Sequence, residues 1–205
     1  MELSDSPQID FDFPGWPETI FTLTKRENLS YGWAHSAMVE ILSARANEME
    51  MSAFLAALRT KGETIEEMSA FADSMLSFAT KVDFDGEVVD TCGTGGDKKG
   101  TINVSTAAAL ILAGAGVTVC KHGGRASSSL SGSADVLEYL GVVIDLGPSG
   151  VAKCMEEARI DFCFAPTFHP AMANVASVRR GLKKSSCATF VSQSVLEVTF
   201  NGASD

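Results

Sequence analysis

From about Asp83 onward, short apolar runs alternate with segments of helical pattern. The predicted strands are Val88–Thr91, Val117–Lys121, Val142–Asp145 and Phe162–Ala165, and the predicted helices between them are Ser105–Ala115, Ala134–Leu140 and Ser149–Ala158. Strands and helices that alternate at this spacing form β-α-β units around a mostly parallel sheet. The alternation therefore predicts an α/β fold whose ligands bind beyond the carboxyl ends of the strands.

Residues 30–80 carry a different pattern, with apolar side chains recurring at three- to four-residue spacing. Gly62 ends the second of three predicted helices. Thr64 and Glu67 form a capping box at the start of the third, because each side chain can bond to a free backbone N–H at the helix terminus. The predicted buried face of that helix consists of Ile65, Met68, Phe71, Met75 and Phe78. Three amphipathic helices indicate a small helical bundle.

Composition and charge narrow the class of protein. A chain of 205 residues with 45% hydrophobic and 20% charged residues is typical of a soluble globular protein. Its formal net charge of −10 argues against a nucleic-acid partner, which would need a basic face. No apolar run has the length of a membrane span, and the N-terminus lacks the pattern of a signal peptide. These features predict a cytoplasmic protein without a membrane partner.

Cysteine usage supports the same compartment. The five cysteines are scattered and lack C-x-x-C spacing: Cys92, Cys120, Cys154, Cys163 and Cys187. An odd number of dispersed thiols indicates reduced cysteines and not a disulfide framework or a zinc site.

Three polar or glycine-rich turns lie next to the predicted strands. Gly93–Asp97 follows the first strand, and its glycines allow successive backbone N–H groups to surround an anion. Asn103 and Ser105 stand at the start of a helix, where N–H groups and the helix dipole favour phosphate. Lys121, His122 and Arg125 precede a run of serines, and such cations form strong charge-assisted hydrogen bonds with phosphate. Together the turns predict a phosphorylated ligand.

Each turn also has a simpler interpretation. The Gly93–Asp97 segment matches neither the G-x-G-x-x-G nor the Walker A pattern, and a tight turn without a ligand would suit it. Ser105 could cap the helix instead of binding a ligand. The loop after Lys121 could be a solvated loop, and Glu156 with Glu157 indicates an exposed helix face more than a metal site.

The order and spacing of several motifs resemble the anthranilate phosphoribosyltransferase family. The motifs are D-T-C-G-T-G-G-D, T-I-N-V-S-T, K-H-G-G-R-A-S-S-S-L-S-G-S-A-D-V-L-E and H-P-A-M-A-N-V-A-S-V-R-R. The helical segment from L-T-K-R-E-N-L-S to F-L-A-A-L-R-T-K-G-E-T is also similar. The resemblance extends from about Leu23 to Arg180.

This resemblance implies a reaction of tryptophan biosynthesis. The amino group of anthranilate would displace pyrophosphate from phosphoribosyl pyrophosphate in the presence of Mg²⁺, giving N-(5-phosphoribosyl)anthranilate. The implied fold is a small helical bundle joined to a mostly parallel α/β domain of the nucleoside-phosphorylase/anthranilate type. The implied assembly is a homodimer formed through the N-terminal helices.

The resemblance also implies roles for individual residues. The residues implied to bind phosphoribosyl pyrophosphate are Gly93, Gly96, Asp97, Thr101, Asn103, Val104, Ser105, Thr106, Lys121, His122, Gly123, Gly124, Arg125, Ala126, Ser127, Ser128, Ser129 and Ser133. Those implied to bind anthranilate are Gly93, Gly124, His169 and Arg179. Ser105 is the implied Mg²⁺ ligand. No general base is implied, because an aromatic amine is already nucleophilic and catalysis would rest on positioning and electrostatics.

Two departures from the family pattern stand out. Gly124 occupies a position where the family has an asparagine that contacts anthranilate. After Arg180 the family sequence continues for well over a hundred residues, including an Asp-Glu pair for a second Mg²⁺, whereas this chain continues differently. The expected domains are an irregular tail (1–19), a helical dimerisation domain (20–82), a partial α/β domain (83–180) and a divergent tail (181–205). The chain is therefore expected to be truncated and to have little turnover.

The divergent tail is apolar enough to form a strand, and two alternative functions remain open. The apolar, β-prone residues Val191, Val195, Leu196, Val198 and Phe200 could pair with an open sheet edge. A pyrimidine-nucleoside phosphorylase is the alternative enzyme, although the spacing of the three loops favours the transferase. A non-catalytic remnant that only binds the donor is the alternative outside enzymes.

Overall fold

A computed structural model describes residues 12–91, 102–126, 131–182 and 200–201. The helices are α1 (Trp16–Thr24), α2 (Tyr31–Leu42), α3 (Glu48–Lys61), α4 (Ile65–Ser77), α5 (Val104–Gly114), α6 (Ser133–Tyr139), α7 (Pro148–Ala158), α8 (Ala165–Phe168) and α9 (Ala176–Gly181), with a 3-10 helix at Pro170–Val175. The strands are β1 (Val82–Asp83), β2 (Val119–Gly123), β3 (Ile160–Phe164) and β4 (Phe200–Asn201). The described residues form two compact units, one of residues 12–78 with 171–182 and one of residues 79–170 with 200–201.

The first unit is a helical bundle. Helix α2 packs along α4, α1 packs along α3, and α9 also contacts α3. Large side chains that this core buries completely or nearly so include Trp16, Leu23, Leu29, Met38, Ile41, Phe54, Leu55, Leu58, Phe71 and Met75. The predicted helical bundle is therefore confirmed.

Capping residues define the helix boundaries. Asn47 and Glu50 form a capping box on α3, and Thr64 and Glu67 form the predicted one on α4. Gly62 follows the last residue of α3 with a φ of 88°, which a residue with a side chain rarely adopts. The predicted end of the second helix and start of the third are therefore confirmed.

The bundle contains a helix that the sequence pattern did not predict. Helix α1 begins at Trp16, inside the segment 1–19 for which an irregular tail was expected, and residues 1–11 lie outside the described part. Pro17 occupies the first turn of α1, where its missing N–H needs no intrahelical partner. Trp16 is buried against Phe54, so the first turn of α1 belongs to the core.

The predicted buried face of α4 was wrong at its N-terminal end. Ile65 is 85% exposed and Met68 is 36% exposed, whereas the buried residues are Glu67, Ala70, Phe71, Ser74 and Met75. The face that packs on α2 is set by Glu67, whose carboxylate bonds to the backbone N–H of Leu29. A buried polar contact thus overrides the apolar pattern at this end of the helix.

Residues 171–182 complete the first unit. Val175 and Val178 are buried in the helical core, and Asn174 Nδ2 donates to the carbonyl oxygen of Leu42 at 2.7 Å. The expected α/β domain extended to residue 180, whereas residues 171–182 group with the helical unit. Two apolar residues three positions apart place one face of this short segment in the helical core.

The second unit contains parallel strands. β2 pairs with β3 in parallel register from Val119–Ile160 to Gly123–Phe164, with α6 and α7 in the connection. α7 contacts β1, β2 and β3, and its Val151 and Met155 pack with the buried Cys163 of β3. Leu137 of α6 belongs to a separate core cluster with Phe162. The predicted α/β class with parallel strands is confirmed.

Two predicted strands of this unit do not form ladders in the described residues. Val89 makes a single parallel bridge to Val119, and residues 142–147 have no regular secondary structure. Val143 is 61% exposed. An apolar run becomes a strand only where a neighbouring strand is available to pair with it, and no described strand pairs with residues 142–145.

The C-terminal tail meets the sheet at two described residues. Phe200 and Asn201 form β4, which pairs in parallel with Val82 and Asp83 of β1. Phe200 belongs to the β-prone tail that was expected to pair with an open edge. The other members of that set, at 191–198, lie outside the described residues.

Helix α5 has an unusual surface for an exposed helix. It contains no charged residue and buries only Thr106 and Ala109, while Val104, Leu110 and Ile111 are exposed. A helix that is apolar on all sides is normally covered by other structure.

Among the described residues, no helix is long and apolar enough to cross a membrane.

The cysteines of the described part are free thiols. Cys120 and Cys163 are buried and lie on neighbouring strands, and Cys154 is partly buried on α7. Cys92 and Cys187 lie outside the described residues.

Candidate functional site

The carboxyl end of β2 carries the residues of the predicted ligand edge. Lys121, His122 and Gly123 are the last three residues of β2, and Gly123 pairs with Phe164 at the carboxyl end of β3. Parallel strands present these ends at one edge of the sheet, which is where α/β folds bind ligands. The sheet therefore places the start of the K-H-G-G-R motif at the expected edge.

Lys121 is an almost fully buried cation. Lys121 is 3% exposed, and its Nζ lies 3.4 Å from the carbonyl oxygen of His122. Lysine is rarely buried without an interaction that stabilises its charge. A desolvated ammonium at a sheet edge attracts anions more strongly than a solvated one.

His122 and His169 form a buried pair of imidazoles. Their rings meet edge to face with centroids 5.3 Å apart. Burial lowers the pKa of His122 to about 3, with the charges of His169 and Lys121 acting in the same direction. Burial also lowers the pKa of His169. Both rings are therefore neutral at neutral pH.

Three ring nitrogens of this pair lack a hydrogen-bond partner among the described residues. They are Nδ1 and Nε2 of His122 and Nε2 of His169, all of them buried. A buried polar group without a partner costs about 1–3 kcal/mol. Such groups mark positions where a ligand, a water molecule or another part of the protein supplies the missing bond.

Asn103 connects the start of α5 to the start of α6. Its Oδ1 accepts hydrogen bonds from Thr106 N at 3.1 Å, Thr106 Oγ1 at 2.9 Å and Ser105 Oγ at 3.0 Å. Its Nδ2 donates to Ser133 Oγ at 3.2 Å. Asn103 is thus the N-cap of α5, and Ser105 is not. The capping alternative weighed for Ser105 applies to Asn103 instead.

Asp90 and Thr91 fix the segment that enters the glycine-rich stretch. Asp90 Oδ1 accepts a hydrogen bond from the backbone N–H of His122 at 3.1 Å. Thr91 Oγ1 donates to the carbonyl oxygen of Ser105 at 2.8 Å. These contacts hold the end of the first predicted strand beside β2 and the start of α5, although the sequence interpretation gave neither residue a role.

The two glycines after His122 differ in the space around them. A Cβ on Gly123 would approach the Phe162 ring to 2.9 Å and Ser133 Cβ to 3.2 Å, so a side chain there needs a rearrangement. A Cβ on Gly124 would meet only Ala165 Cβ, at 3.9 Å. Gly124, the position where the family pattern has asparagine, therefore has room for a Cβ.

Arg125 forms ion pairs with α6. Nη1 and Nη2 donate to the two carboxylate oxygens of Glu138 at 2.7 and 3.0 Å, and Nη1 also lies 3.4 Å from Asp135 Oδ1. Its guanidinium stands 5.8 Å from the centre of the Phe164 ring. The bond and charge of Glu138 raise the pKa of Arg125 above its already high ordinary value. Asp135 and Glu138 were missed, although both belong to the quoted K-H-G-G-R…V-L-E motif.

The remaining predicted site residues are divided between described and undescribed parts of the chain. Gly93, Gly96, Asp97, Thr101, Ser127, Ser128 and Ser129 lie outside the described residues. Val104 is exposed on the first turn of α5, and Ala126 is exposed after Arg125. Arg179 lies on α9 in the helical unit, where burial lowers its pKa, whereas His169 belongs to the α/β unit.

The described residues contain no group of three histidine, cysteine or acidic side chains able to hold a metal ion. Ser105 Oγ is directed at Asn103 Oδ1. Mg²⁺ prefers oxygen ligands, and it is commonly held by substrate phosphates with only one or two protein groups.

The fold and this sheet edge define the class of protein as a helical bundle joined to an α/β domain with a ligand edge. The family model described as "Glycosyl transferase family, helical bundle domain" matches residues 17–79, and the one described as "Glycosyl transferase family, a/b domain" matches residues 85–189. The chain therefore belongs to this glycosyl transferase family.

Individual curated relatives carry the name anthranilate phosphoribosyltransferase. The anthranilate phosphoribosyltransferase of Rhodococcus jostii (strain RHA1) is 52% identical over 165 residues, which are 80% of this chain and 46% of that protein. The one from Chloroflexus aurantiacus (strain ATCC 29366 / DSM 635 / J-10-fl) is 54% identical over 163 residues, 80% of this chain and 48% of that protein. The chain thus spans about half the length of the curated relatives that it matches.

Solved structures of anthranilate phosphoribosyltransferases are also similar to this chain. The crystal structure of anthranilate phosphoribosyltransferase from Thermus thermophilus has a TM-score of 0.78 at 34% identity, covering 91% of this chain and 58% of that one. The Saccharomyces cerevisiae enzyme in complex with PRPP and Mg has a TM-score of 0.72 at 29% identity, covering 85% and 54%. The resemblance to anthranilate phosphoribosyltransferases is confirmed.

Proposed function

We propose that this chain carries the donor-binding part of an anthranilate phosphoribosyltransferase. In the proposed reaction the amino nitrogen of anthranilate forms a bond to C1′ of phosphoribosyl pyrophosphate. The bond from C1′ to the pyrophosphate oxygen breaks, the leaving group keeps the electron pair, and the nitrogen loses a proton to solvent. The names of the relatives support this proposal, and the chain's own residues suggest how the donor is bound.

The buried ammonium of Lys121 is the observation that carries the proposal. Phosphoribosyl pyrophosphate is strongly anionic, and its pyrophosphate gains charge as it leaves. A fixed, desolvated cation stabilises that charge without reorganising solvent. The Asn103–Ser133 bond at the neighbouring helix starts supports an edge at which polar groups surround the donor.

The remaining contacts follow the family pattern. We assign the donor to Gly93, Gly96, Asp97, Thr101, the segments 103–106 and 121–129, and Ser133, and we assign anthranilate to Gly93, Gly124, His169 and Arg179. The neutral ring of His169 suits an uncharged aromatic amine, and a guanidinium such as Arg179 suits a carboxylate. Gly124 would contribute no side-chain contact to anthranilate.

Mg²⁺ is proposed as the cofactor, with Ser105 as a protein ligand. When bound, the ion would neutralise charge on the diphosphate. Ser105 supplies one hydroxyl, and Asn103 orients that hydroxyl through the 3.0 Å bond between them. The yeast relative in complex with PRPP and Mg supports Mg²⁺ as the cofactor.

We further propose a cytoplasmic homodimer formed through the helical unit. Its support is an apolar groove between α1 and α3 that is lined by Ile20, Leu23, Thr24, Arg26, Ala53, Ala56, Ala57 and Thr60. A second copy of this unit would cover the groove. Sedimentation should show a dimer that Ala56→Glu converts to monomer. A monomer at all concentrations would exclude the dimer.

A titration tests the main proposal. Phosphoribosyl pyrophosphate with Mg²⁺ should bind the purified chain at one site in calorimetry. Lys121→Met, which nearly keeps the side-chain volume, should weaken binding by about 1.5–3 kcal/mol, or roughly 10- to 150-fold. Lys153→Met is the matched control, because Lys153 is an exposed lysine of α7. Absence of binding by a folded sample, or equal affinities in both variants, would contradict the proposal.

Turnover separates an enzyme from a donor-binding protein. The chain spans about half the length of its relatives. We therefore expect donor binding with little conversion of anthranilate, measured by the change in anthranilate fluorescence. Rapid conversion by the 205-residue chain would show that the part found only in the relatives is not required.

A further inference from the structure

One carboxylate oxygen of Asp135 contacts two separate points of the chain. Oδ2 accepts a hydrogen bond from the backbone N–H of Gly132 at 2.7 Å and another from the backbone N–H of Ala126 at 2.9 Å. The first contact is a helix cap, because Gly132 directly precedes α6. The second is not, because Ala126 lies nine residues before Asp135 and outside the helix. Asp135 thus bonds on both sides of the segment 127–131.

The backbone at these two points is in direct contact. A Cβ on Gly132 would lie 2.5 Å from Ala126 N, 2.6 Å from Arg125 C and 2.6 Å from Gly124 O. The backbone N–H of Ala134 donates to Gly124 O at 3.2 Å, next to this contact. Residues 124–126 and 132–134 therefore lie side by side, and only glycine fits at position 132.

The other oxygen of Asp135 faces Arg125. Arg125 Nη1 lies 3.4 Å from Asp135 Oδ1, while Glu138 accepts from both Nη1 and Nη2. The two acids differ in their shorter contacts. Oδ2 of Asp135 holds backbone N–H groups, whereas Glu138 holds the guanidinium. The two N–H donors, of Ala126 first and Gly132 second, lower the pKa of Asp135, which is therefore ionised at neutral pH.

We propose that Asp135 is a positioning residue for donor binding, which acts by fixing the backbone at Ala126 and Gly132. The inference rests on the proposed function, since it concerns the same edge of the sheet. Residues 124–126 follow directly on β2, and Ser133 bonds to Asn103. A carboxylate that joins these two stretches sets the distance between the K-H-G-G-R segment and the start of α6, and the donor contacts on both depend on that distance.

Three substitutions distinguish the effect of the Asp135 backbone contacts from the effect of the ion pairs with Arg125. Asp135→Asn keeps one oxygen that can accept from both N–H groups, but it loses the charge that faces Arg125. Asp135→Ala loses all of these bonds. Glu138→Gln weakens only the hold on Arg125. Glu156→Ala, an exposed acid on α7, serves as the control for net charge.

Calorimetric titration with phosphoribosyl pyrophosphate and Mg²⁺, and separately with pyrophosphate, measures the effect. Asp135→Ala should weaken both ligands at least tenfold. Asp135→Asn should stay within about threefold of the unmodified chain, and Glu156→Ala should be unchanged. An affinity of Asp135→Ala equal to that of the unmodified chain overturns the proposal. So does an Asp135→Asn variant as weak as the alanine variant, because the charge and not the backbone contact would then matter.

Hydrogen exchange shows whether the effect is local. In Asp135→Ala the amides of Ala126 and Gly132 should exchange faster, trypsin should cleave sooner after Arg125, and the circular dichroism spectrum should be unchanged. In the Asp135→Asn variant, the amides of Ala126 and Gly132 should still exchange slowly. If the unmodified chain is folded and binds neither ligand, the proposed function fails. If that chain binds but exchange at Ala126 is the same in all variants, only the role of Asp135 fails.

Discussion

Replacing Glu67 tests what stabilises the helical unit. Its buried carboxylate accepts from Leu29 N at 2.9 Å through Oε1, and through Oε2 from Lys61 Nζ and Thr64 N, both at 2.8 Å. Glu67→Gln keeps the side-chain volume but turns one acceptor oxygen into an NH₂ group. That NH₂ must face either Leu29 N–H or the donors of Lys61 and Thr64. At least one buried donor loses its partner.

The expected loss follows from these contacts. Removing one charge of a buried ion pair costs about 3–5 kcal/mol, and a buried donor without a partner costs about 1–3 kcal/mol. Lys61 Nζ keeps bonds to Asn28 Oδ1 at 3.1 Å and to Gly62 O at 2.7 Å. We therefore expect the lower end of the range, about 3 kcal/mol for Glu67→Gln.

Urea denaturation followed by tryptophan fluorescence measures this loss. Trp16 and Trp33 are the two tryptophans of the chain, and both lie in the helical unit. With a slope of about 1–3 kcal/mol per M, the midpoint should fall by at least about 1 M. Glu50→Gln is the matched control, because Glu50 is a capping-box acid that bonds to Asn47 N at the surface. Its cost should stay below about 1 kcal/mol, and equal midpoints for the two variants would refute the reasoning.

The pH dependence of the same difference gives a second check. Burial pushes the pKa of Glu67 up, but the bonds from Lys61, Leu29 and Thr64 outweigh burial and lower it below its ordinary value. A lowered folded-state pKa contributes stability that is fully present above the unfolded pKa of about 4.3. That contribution is lost as pH falls through the folded pKa. The difference between the unmodified chain and Glu67→Gln should therefore be constant above about pH 6 and shrink below about pH 4.

Two further substitutions test the local geometry. Gly132→Ala should destabilise the α/β unit by about 1–3 kcal/mol, since the new Cβ meets backbone atoms, whereas Gly114→Ala has nothing within 4 Å and should be neutral in thermal unfolding. The hydroxyl of Tyr31 donates to Asp73, and this bond, then burial and the charge of Asp73, raise the pKa of Tyr31 to about 12. That contribution to stability is present below about pH 10 and lost towards pH 12. Absorbance at about 295 nm should show that Tyr31 titrates at a raised pH, and Asp73→Asn should lower the pH of that titration.

Features of the fold that depend on neighbouring residues were predictable from the sequence. The capping box of Thr64 and Glu67 joins residues three positions apart, and Gly62 ends α3 through its own backbone conformation. The helices α5, α6 and α7 lie within one residue of their predicted bounds at each end. The missed α1 has the same physical basis, because Pro17 near a helix start favours the helix, but several prolines in one short segment also favour irregular structure.

Features that depend on distant partners were less predictable. The run from Val142 to Asp145 is apolar as a strand should be, yet pairing needs a neighbour that a local pattern does not reveal. Ile65 shows the same limit, since the buried face of α4 is set by the bond from Glu67 to Leu29, which are 38 residues apart. Local hydrophobic periodicity therefore identified the elements better than their faces or partners.

The candidate site was predictable from the sequence only in part. Motif spacing found Lys121 and His122 at the end of a strand, because strand ends and glycine-rich turns are local features. It missed Asp135, whose bond to Ala126 joins residues nine positions apart, and the pairing of His122 with His169. A side chain that holds another residue's backbone leaves no residue-type signature of its own, since an aspartate at the third position of a helix is already explained as a cap. The second contact forms only once the chain is folded, and for that reason a residue that supports a binding segment is harder to predict than the segment itself.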